Sequence, residues 1–173
     1  MGRGNDLNSS IKTAYDANYF YIGVNVVDDI YVQKATGYQI YLGDSLEILM
    51  DADLISDYSV KSLDGDDFQL GIAPGLQTID GEKEAYLWYP QNLRGTRDQV
   101  IIASQAIDAG YMVEAAIPWS LFSITPAPGK HFGFAVSVSD NDNQSKSVQE
   151  SMVSNVSTRK FLDPTTWGDL ILQ

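Results

Sequence analysis

The 173-residue chain contains no cysteine, a single histidine and fewer than half as many cations as anions, with 11 Lys and Arg against 23 Asp and Glu. Without cysteine there are no disulfides, thiolate metal sites or cysteine nucleophile. The net charge of −12 argues against nucleic acid and anionic membranes as partners, because both require an excess of Lys and Arg. No apolar run approaches the ~18 residues of a membrane span, and the start, MGRGNDLNSS, does not resemble a signal peptide.

Motifs of common enzyme classes are also scarce. The only histidine, His131, stands at the start of an apolar stretch, and no serine lies in a G-x-S-x-G turn. No phosphate-binding glycine loop or dinucleotide fingerprint is present. The spacing of the acids alone does not exclude a carboxylate pair for glycoside hydrolysis. On balance the sequence predicts a protein that is not an enzyme.

Apolar residues recur with a period of two through most of the chain, which predicts strands. Turn residues separate them, such as Asp16-Ala17-Asn18 and Ala109-Gly110. Helical periodicity is limited to one turn at 118–122. About nine short strands predict an all-β antiparallel sandwich, with a partly open barrel as the alternative. The predicted strands are 9–16, 19–28, 45–51, 67–74, 84–90, 99–108, 111–119, 131–140 and 168–173.

An acidic loop follows the strand at 45–51, with six aspartates between positions 51 and 67. Close carboxylates repel one another unless water or a cation neutralises them. Ca²⁺ accepts six to eight oxygen ligands in flexible geometry, so we predict a structural Ca²⁺ here, with a solvated loop as the alternative. DNDN at 140–143 is interpreted as a turn, and Asp44 as the cap of the turn before its strand. The predicted ligands are Asp51, Asp53, Asp57, Asp66 and Asp67.

Aromatic residues are abundant, with ten Tyr, six Phe and three Trp. The tryptophans are assigned to the core, whereas Tyr38, Tyr41 and Phe161 lie in loop-like stretches beside strands. Sugar rings present C–H faces that stack on such aromatic side chains. Glu47 adds a carboxylate in the middle of an apolar strand, where it would bind a ligand, pair with a cation or help to hold Ca²⁺.

Five stretches, taken in order, resemble the family 9 carbohydrate-binding modules over about residues 8–172. Each stretch alone is little more than a strand with its turns, but five in register are fairly specific. The resemblance implies a jelly-roll-like β-sandwich that carries structural Ca²⁺ and belongs to a larger secreted or cell-surface polysaccharide-processing protein. The stretches are DANYFYIGVNVVDD, GDSLEILMD, YMVEAAIPW, FGFAVSVSDND and DPTTWGDLIL.

The resemblance also implies a site and a domain boundary. Family members hold sugar chain ends between two aromatics, which correspond to Tyr41 and Phe161 here, and a strand carboxylate that binds sugar hydroxyls corresponds to Glu47. We therefore expect oligo- or polysaccharide ends as the partner, together with other domains of a parent chain. Residues 8–173 are predicted to form the single domain, and residues 1–7 to be a linker or an added segment. The implied location is extracellular or at the cell surface.

Four polar positions of the family pattern are replaced in this chain. A hydrogen-bonding network that keeps only some of its polar groups discriminates less well between ligands. Either the ligand differs, other groups substitute, or sugar binding is lost. The replaced positions correspond to Gly71, Ala73, Ser137 and Thr158, and the candidate substitutes are Arg159, Gln69 and Gln149.

Two alternatives stay open at this stage. A structural or interaction β-sandwich without a small ligand would lack a concave site lined by aromatics. A haem-binding domain of the DOMON type would need a methionine close to a second ligand. Met50 or Met112 with His131 would then hold the haem.

Overall fold

Two antiparallel sheets pack face to face in the computed structural model, which describes residues 7–173. One sheet has four strands in the order β1-β2-β8-β7, and the other has seven, in the order β10-β9-β3-β4-β5-β6 with β11 also paired to β9. The strands are β1 (Asn8–Tyr15), β2 (Tyr19–Val27), β3 (Ser45–Asp51), β4 (Asp67–Ala73), β5 (Glu84–Tyr89), β6 (Gly95–Thr96), β7 (Ile101–Ile107), β8 (Gly110–Pro118), β9 (His131–Asp140), β10 (Ser151–Ser154) and β11 (Gly168–Ile171).

Helical structure is limited to short turns in this part of the chain. The α-helix α1 has a single turn, and the other helical segments are 3₁₀ turns that connect strands. None of these helices is long and apolar enough to cross a membrane. The segments are α1 (Leu54–Asp57) and the 3₁₀ turns Gly37–Leu42, Gln91–Leu93, Trp119–Phe122 and Pro164–Thr166.

The core lies between the two sheets and follows from the alternating pattern. In β2, Phe20, Ile22 and Val24 are buried, while the residues between them face outward. In β3, Ile48 and Met50 point into the same core. A fully buried side chain of this size contributes about 1.5–3 kcal/mol to stability. A shift of a strand by one residue would expose all of its buried side chains, so the alternation determines the register of each strand.

The larger sheet is covered on its outer face as well. Every residue of β3 and β4 is buried, although alternate side chains point away from the core. On that outer face, Leu49 packs with Trp167 and Ala135, and Ile40 packs with Trp88. Loops that cross the sheet therefore form a third layer, and polar side chains of β3 are enclosed beneath it.

The fold confirms the predicted all-β sandwich over the partly open barrel, because the strands form two separate sheets. The sequence missed β6 and β10, which are short edge strands with little apolar alternation, and it missed α1. The predicted turn at 118–122 is the 3₁₀ turn Trp119–Phe122. Leu7, predicted to precede the domain, is buried in the core. The rest of the predicted segment 1–7 lies outside the described residues, so its nature stays a prediction.

Candidate functional site

A groove of about 680 Å³ lies on the outer face of the seven-stranded sheet. The 3₁₀ turn Gly37–Leu42 and β5 form one wall, and the loop after β10 forms the other. Strands β3 and β4 supply the floor. The groove is lined by Tyr38, Tyr41, Glu47, Lys61, Ser62, Leu63, Gln69, Trp88, Tyr89, Gln91, Arg94, Gln149, Met152, Arg159, Phe161 and Leu162.

The first wall is a packed group of aromatic rings. The ring centroids of Tyr41 and Trp88 are 6.1 Å apart, and those of Tyr38 and Tyr41 are 6.3 Å apart, both in edge-to-face arrangements. The indole Nε1 of Trp88 donates a hydrogen bond of 2.8 Å to the Tyr38 carbonyl oxygen. These contacts hold the 3₁₀ turn against β5, so the rings present a fixed apolar surface.

Gly71 allows the Trp88 ring to pack directly against the backbone of β4. A Cβ at this position would lie 2.7 Å from Ile40 Cδ1 and 2.8 Å from Trp88 Cζ3, closer than real contacts allow. Any side chain here, including a polar one as in the family pattern, would therefore displace the indole. Apolar surface replaces one of the polar groups missing from the family pattern.

The floor carries a buried ion pair between Glu47 of β3 and Arg159. Arg159 Nη2 donates to Glu47 Oε2, and the two side chains are only 7% and 8% exposed. Burial raises the pKa of the Glu47 carboxyl, and the Arg159 guanidinium opposes this rise. Arg159 Nε is buried without a hydrogen-bond partner among the described residues. Since an unpaired buried donor is costly, this N–H is a candidate for binding a ligand oxygen.

The second wall is Phe161, which is 37% exposed at the groove. The Arg159 guanidinium carbon lies 5.6 Å from the centre of its ring. Gln69 Nε2 donates a hydrogen bond of 2.6 Å to the Phe161 carbonyl oxygen, which ties this loop to β4. Within the described region the recorded hydrogen bond of the Gln69 side chain uses its Nε2, so its amide oxygen can accept one from a ligand.

All five ligand-binding residues predicted from the sequence line this one groove, namely Tyr41, Glu47, Gln69, Arg159 and Phe161. Their contact with a ligand stays a prediction. The sequence analysis assigned Trp88 to the core, and it is buried, yet it also lines the groove. It also did not identify Lys61 or Arg94, because neither lies near a recognisable motif.

The acidic loop brings together part of the predicted calcium set. Carboxylate oxygens of Asp57, Asp64 and Asp67 lie within 4.8 Å of one another. Burial raises the pKa of the Asp67 carboxyl to about 7 and that of Asp66 to about 7. Asp51 also lies at the loop, where burial raises its pKa to about 6.

The other predicted ligands are not in that group. Asp53 accepts a hydrogen bond of 2.7 Å from the Ser56 hydroxyl, and Asp51 Oδ1 accepts one from the backbone N–H of Asp53. Asp66 Oδ2 is buried without a hydrogen-bond partner in the described region. The structure thus brings together Asp57 and Asp67 of the predicted set and adds Asp64.

A second acidic cluster, deeper than the first, was missed by the sequence analysis. Oxygens of Asp28, Asp44 and Asp140 lie within 4.8 Å of one another, and all three residues are buried. Asp28 also groups with Asp29 and Asp142. These residues belong to three distant segments, at the end of β2, before β3 and at the end of β9. The pairing of β3 with β9 and the packing of the two sheets bring them together, so their spacing in the sequence carried little signal.

Asp44 is the most enclosed member of this cluster. Its side chain is fully buried, Oδ2 accepts a hydrogen bond of 2.5 Å from the Val32 N–H, and Oδ1 has no partner among the described residues. Burial raises the pKa of this carboxyl to about 9, with a further contribution from Asp28 and Asp140. Buried acidic clusters of this kind could hold a metal ion.

The proposed haem ligands are not brought together. Met50 points into the core between the sheets, whereas His131 is exposed and its Nδ1 lies 3.3 Å from Asp169 Oδ2. Met112 lies on the four-stranded sheet, away from β9. The haem interpretation is therefore wrong for these residues. The aromatic-lined groove in turn disfavours a sandwich without a ligand.

Two endo-1,4-β-xylanases are similar to this chain in sequence. Xylanase A of Thermotoga maritima is 25% identical over 164 residues, which are 95% of this chain and 14% of the xylanase. Xylanase A of Thermoanaerobacterium saccharolyticum is 25% identical over 168 residues, 97% of this chain and 13% of the enzyme. The chain therefore spans about one seventh of the length of these relatives.

Solved structures share the fold. A family 9 carbohydrate-binding module from Caldicellulosiruptor kristjanssonii, solved with cellotriose, superposes with a TM-score of 0.74 at 21% identity, covering 98% of this chain and 76% of the other. Its complex with glucose gives 0.73 over 98% and 78%, also at 21% identity. The model of the carbohydrate family 9 binding domain-like family matches residues 1–173. The resemblance inferred from five sequence motifs is thus confirmed, and the chain belongs to the family 9 carbohydrate-binding domains.

Proposed function

We propose that the groove between Tyr41 and Phe161 is the site at which this domain binds the end of an oligo- or polysaccharide. The family assignment makes the chain a non-catalytic carbohydrate-binding module, as the sequence predicted. The proposal concerns the residues that hold the sugar. The observation that supports it is the convergence of aromatic rings and a buried polar floor in one groove.

The groove offers both kinds of contact that a sugar ring needs. The faces of Tyr41 and Trp88 provide apolar area for the C–H side of a pyranose, and Phe161 provides a second surface across the groove. Glu47 and the Gln69 amide oxygen accept hydrogen bonds from hydroxyl groups, while Arg159 Nε donates one. Arg159, Gln69 and Gln149 thus replace polar groups missing from the family pattern.

Titration calorimetry with glucose, cellotriose and xylotriose tests this proposal. We expect binding of at least one of these sugars, and an affinity at least about tenfold weaker for Tyr41→Ala because stacking area is lost. Tyr58→Ala is a matched control, since Tyr58 is 74% exposed and lies outside the groove. Equal affinities for the wild type and Tyr41→Ala, or no binding at millimolar sugar, would contradict the proposal.

We also propose that the buried cluster of Asp28, Asp44 and Asp140 binds Ca²⁺. Two oxygens that ligate one Ca²⁺ at roughly 2.3–2.6 Å are at most about 5 Å apart, and one oxygen of each of these three carboxylates lies within 4.8 Å of the others. Asp44 supplies an oxygen that accepts no hydrogen bond from the described residues. A cation would allow these carboxylates to ionise without repelling one another.

The acidic loop is the second candidate for Ca²⁺, with Asp57, Asp64 and Asp67 as the central ligands. Asp57 Oδ1 and Asp67 Oδ1 are buried without hydrogen-bond partners in the described region. An ion here would hold the loop between β3 and β4 in place. Because this loop also carries Lys61 and Leu63 of the groove, the ion would support the sugar site indirectly.

The relatives indicate the kind of protein to which this domain belongs. The chain matches about one seventh of two xylanases, so we propose that it is one domain of a longer polysaccharide-processing protein. Such a protein meets its polymer outside the cell, which supports an extracellular or cell-surface location. Secretion of the full-length protein, measured in the culture supernatant, tests this part.

A further inference from the structure

The groove differs from the rest of the protein in its charge. The whole chain carries 11 cations and 23 anions. The groove is lined by three cations, Lys61, Arg94 and Arg159, and by a single acid, Glu47. Glu47 is paired with Arg159, and within residues 7–173 no carboxylate forms an ion pair with Lys61 or Arg94.

Other cavities in the described region are lined either by acids without cations or by one charge of each sign. The cavity at the end of β7 and β8 is lined by Asp28, Asp29 and Asp108 with no cation. The small cavity beside α1 is likewise lined only by acids among its charged residues. The outer face of the four-stranded sheet has one charge of each sign. Positive charge is thus concentrated where the sugar is proposed to bind.

Both unpaired cations are placed to reach a ligand. The Arg94 guanidinium carbon lies 5.4 Å from the centre of the Tyr38 ring, so this arginine is held at the aromatic wall. Lys61 lines the groove from the loop between β3 and β4. Both side chains are exposed, and neither forms an ion pair within residues 7–173. An anion on the ligand would therefore contact two cations that are not paired with any carboxylate of the described region.

We propose that the groove prefers a negatively charged sugar, in which a uronate carboxylate or a sulfate ester lies beside Lys61 and Arg94. This inference rests on the proposed function, because it assumes that the same groove holds the sugar ring. The ring stacks on the aromatic wall, the hydroxyls bind the floor, and the acidic substituent lies at the rim. A neutral glucan or xylan unit makes the first two contacts and leaves both cations solvated.

The size of the preference follows from the exposure of the two cations. An exposed ion pair improves affinity by roughly 1.5- to 5-fold. Two such pairs therefore favour the anionic sugar by roughly two- to twenty-five-fold over its neutral counterpart. Exposed charges are screened at high salt, so the preference should fall towards one at about 1 M NaCl, where the Debye length is ~3 Å.

Titration calorimetry with three matched ligands tests the inference. The ligands are cellotriose, cellotriose with one unit oxidised to glucuronate, and cellotriose with one sulfate ester. We expect at least one anionic ligand to bind two- to twenty-five-fold more tightly than cellotriose. The carboxylate and sulfate arms distinguish the two sources of charge. In the double variant Lys61→Gln with Arg94→Gln, the ratio of affinities should fall to about one.

The control variant is Lys12→Gln, which removes the same charge from the exposed face of β1 and should keep the ratio. Equal affinities of the wild type for neutral and anionic ligands would overturn the inference, as would a preference that survives in the double variant. Cellotriose binding that depends on Tyr41 would still support the proposed function in those cases. Binding of none of the three ligands would overturn both.

Discussion

Removal of Ca²⁺ should make the stability of this domain fall steeply as the pH rises. In the metal-free protein, burial raises the pKa of Asp44 to about 9 from an ordinary value of 3.8. Between these values the folded state keeps a proton that the unfolded state has lost, so stability decreases with pH. Each pH unit is worth about 1.36 kcal/mol, so a change from pH 5 to pH 8 should cost on the order of 4 kcal/mol.

This loss should be visible as a change in melting temperature. For a domain of this size, 1 kcal/mol corresponds to roughly 2–4 °C. In EGTA we therefore expect the melting temperature to be on the order of 10 °C lower at pH 8 than at pH 5. In millimolar Ca²⁺ the ligands are already ionised in the folded state, and binding stabilises that state by mass action. The difference between the two pH values should then largely disappear.

Tryptophan fluorescence during thermal unfolding provides the assay, and two variants provide the controls. Asp44→Asn cannot ionise, so in EGTA it should lose the share of the pH dependence that Asp44 contributes, on the order of 4 kcal/mol between pH 5 and pH 8, and it should lose the response to Ca²⁺ at this cluster. Asp108→Asn removes a charge at an exposed position and should behave like the wild type. If melting temperatures in EGTA and Ca²⁺ agree at both pH values, the cluster does not bind Ca²⁺ and the reasoning fails.

Three further predictions concern the groove and its alternatives. Gly71→Ala should displace Trp88, lower the free energy of unfolding by about 1–3 kcal/mol and weaken cellotriose binding, as measured by urea unfolding and calorimetry. Glu47→Gln leaves the buried charge of Arg159 unpaired and should cost about 3–5 kcal/mol, whereas the double variant Glu47→Leu with Arg159→Met should recover stability without recovering sugar affinity. Purified protein mixed with haem should show no shift of the Soret band, and a stable shifted band would revive the haem hypothesis.

The fold was predictable because its main signal is local. In strands such as β2 and β8, the alternation of apolar and polar residues specifies which face is buried before any partner strand is known. Glycine and aspartate turns, such as Ala109-Gly110, then limit how neighbouring strands connect. Short edge strands were missed because four residues such as those of β10 carry too little alternation.

The candidate groove was predictable only through the family resemblance. Tyr41, Glu47 and Phe161 are far apart in the chain, and no spacing rule connects them. Motifs transferred from the family placed all three, and they do line one groove. The motifs did not reveal that Arg159 would pair with Glu47, because that contact depends on how the loop after β10 crosses the sheet.

The order of residues alone settled the class of the protein, since alternation, turns and five ordered motifs are properties of short segments. Tertiary structure decided which charged groups meet. Asp28, Asp44 and Asp140 come from three separate segments and form a cluster only when β2, β3 and β9 are in place. Lys61 and Arg94 likewise share a groove although 32 residues separate them. Electrostatic interactions depend on distance in space, and distance in the chain does not determine it.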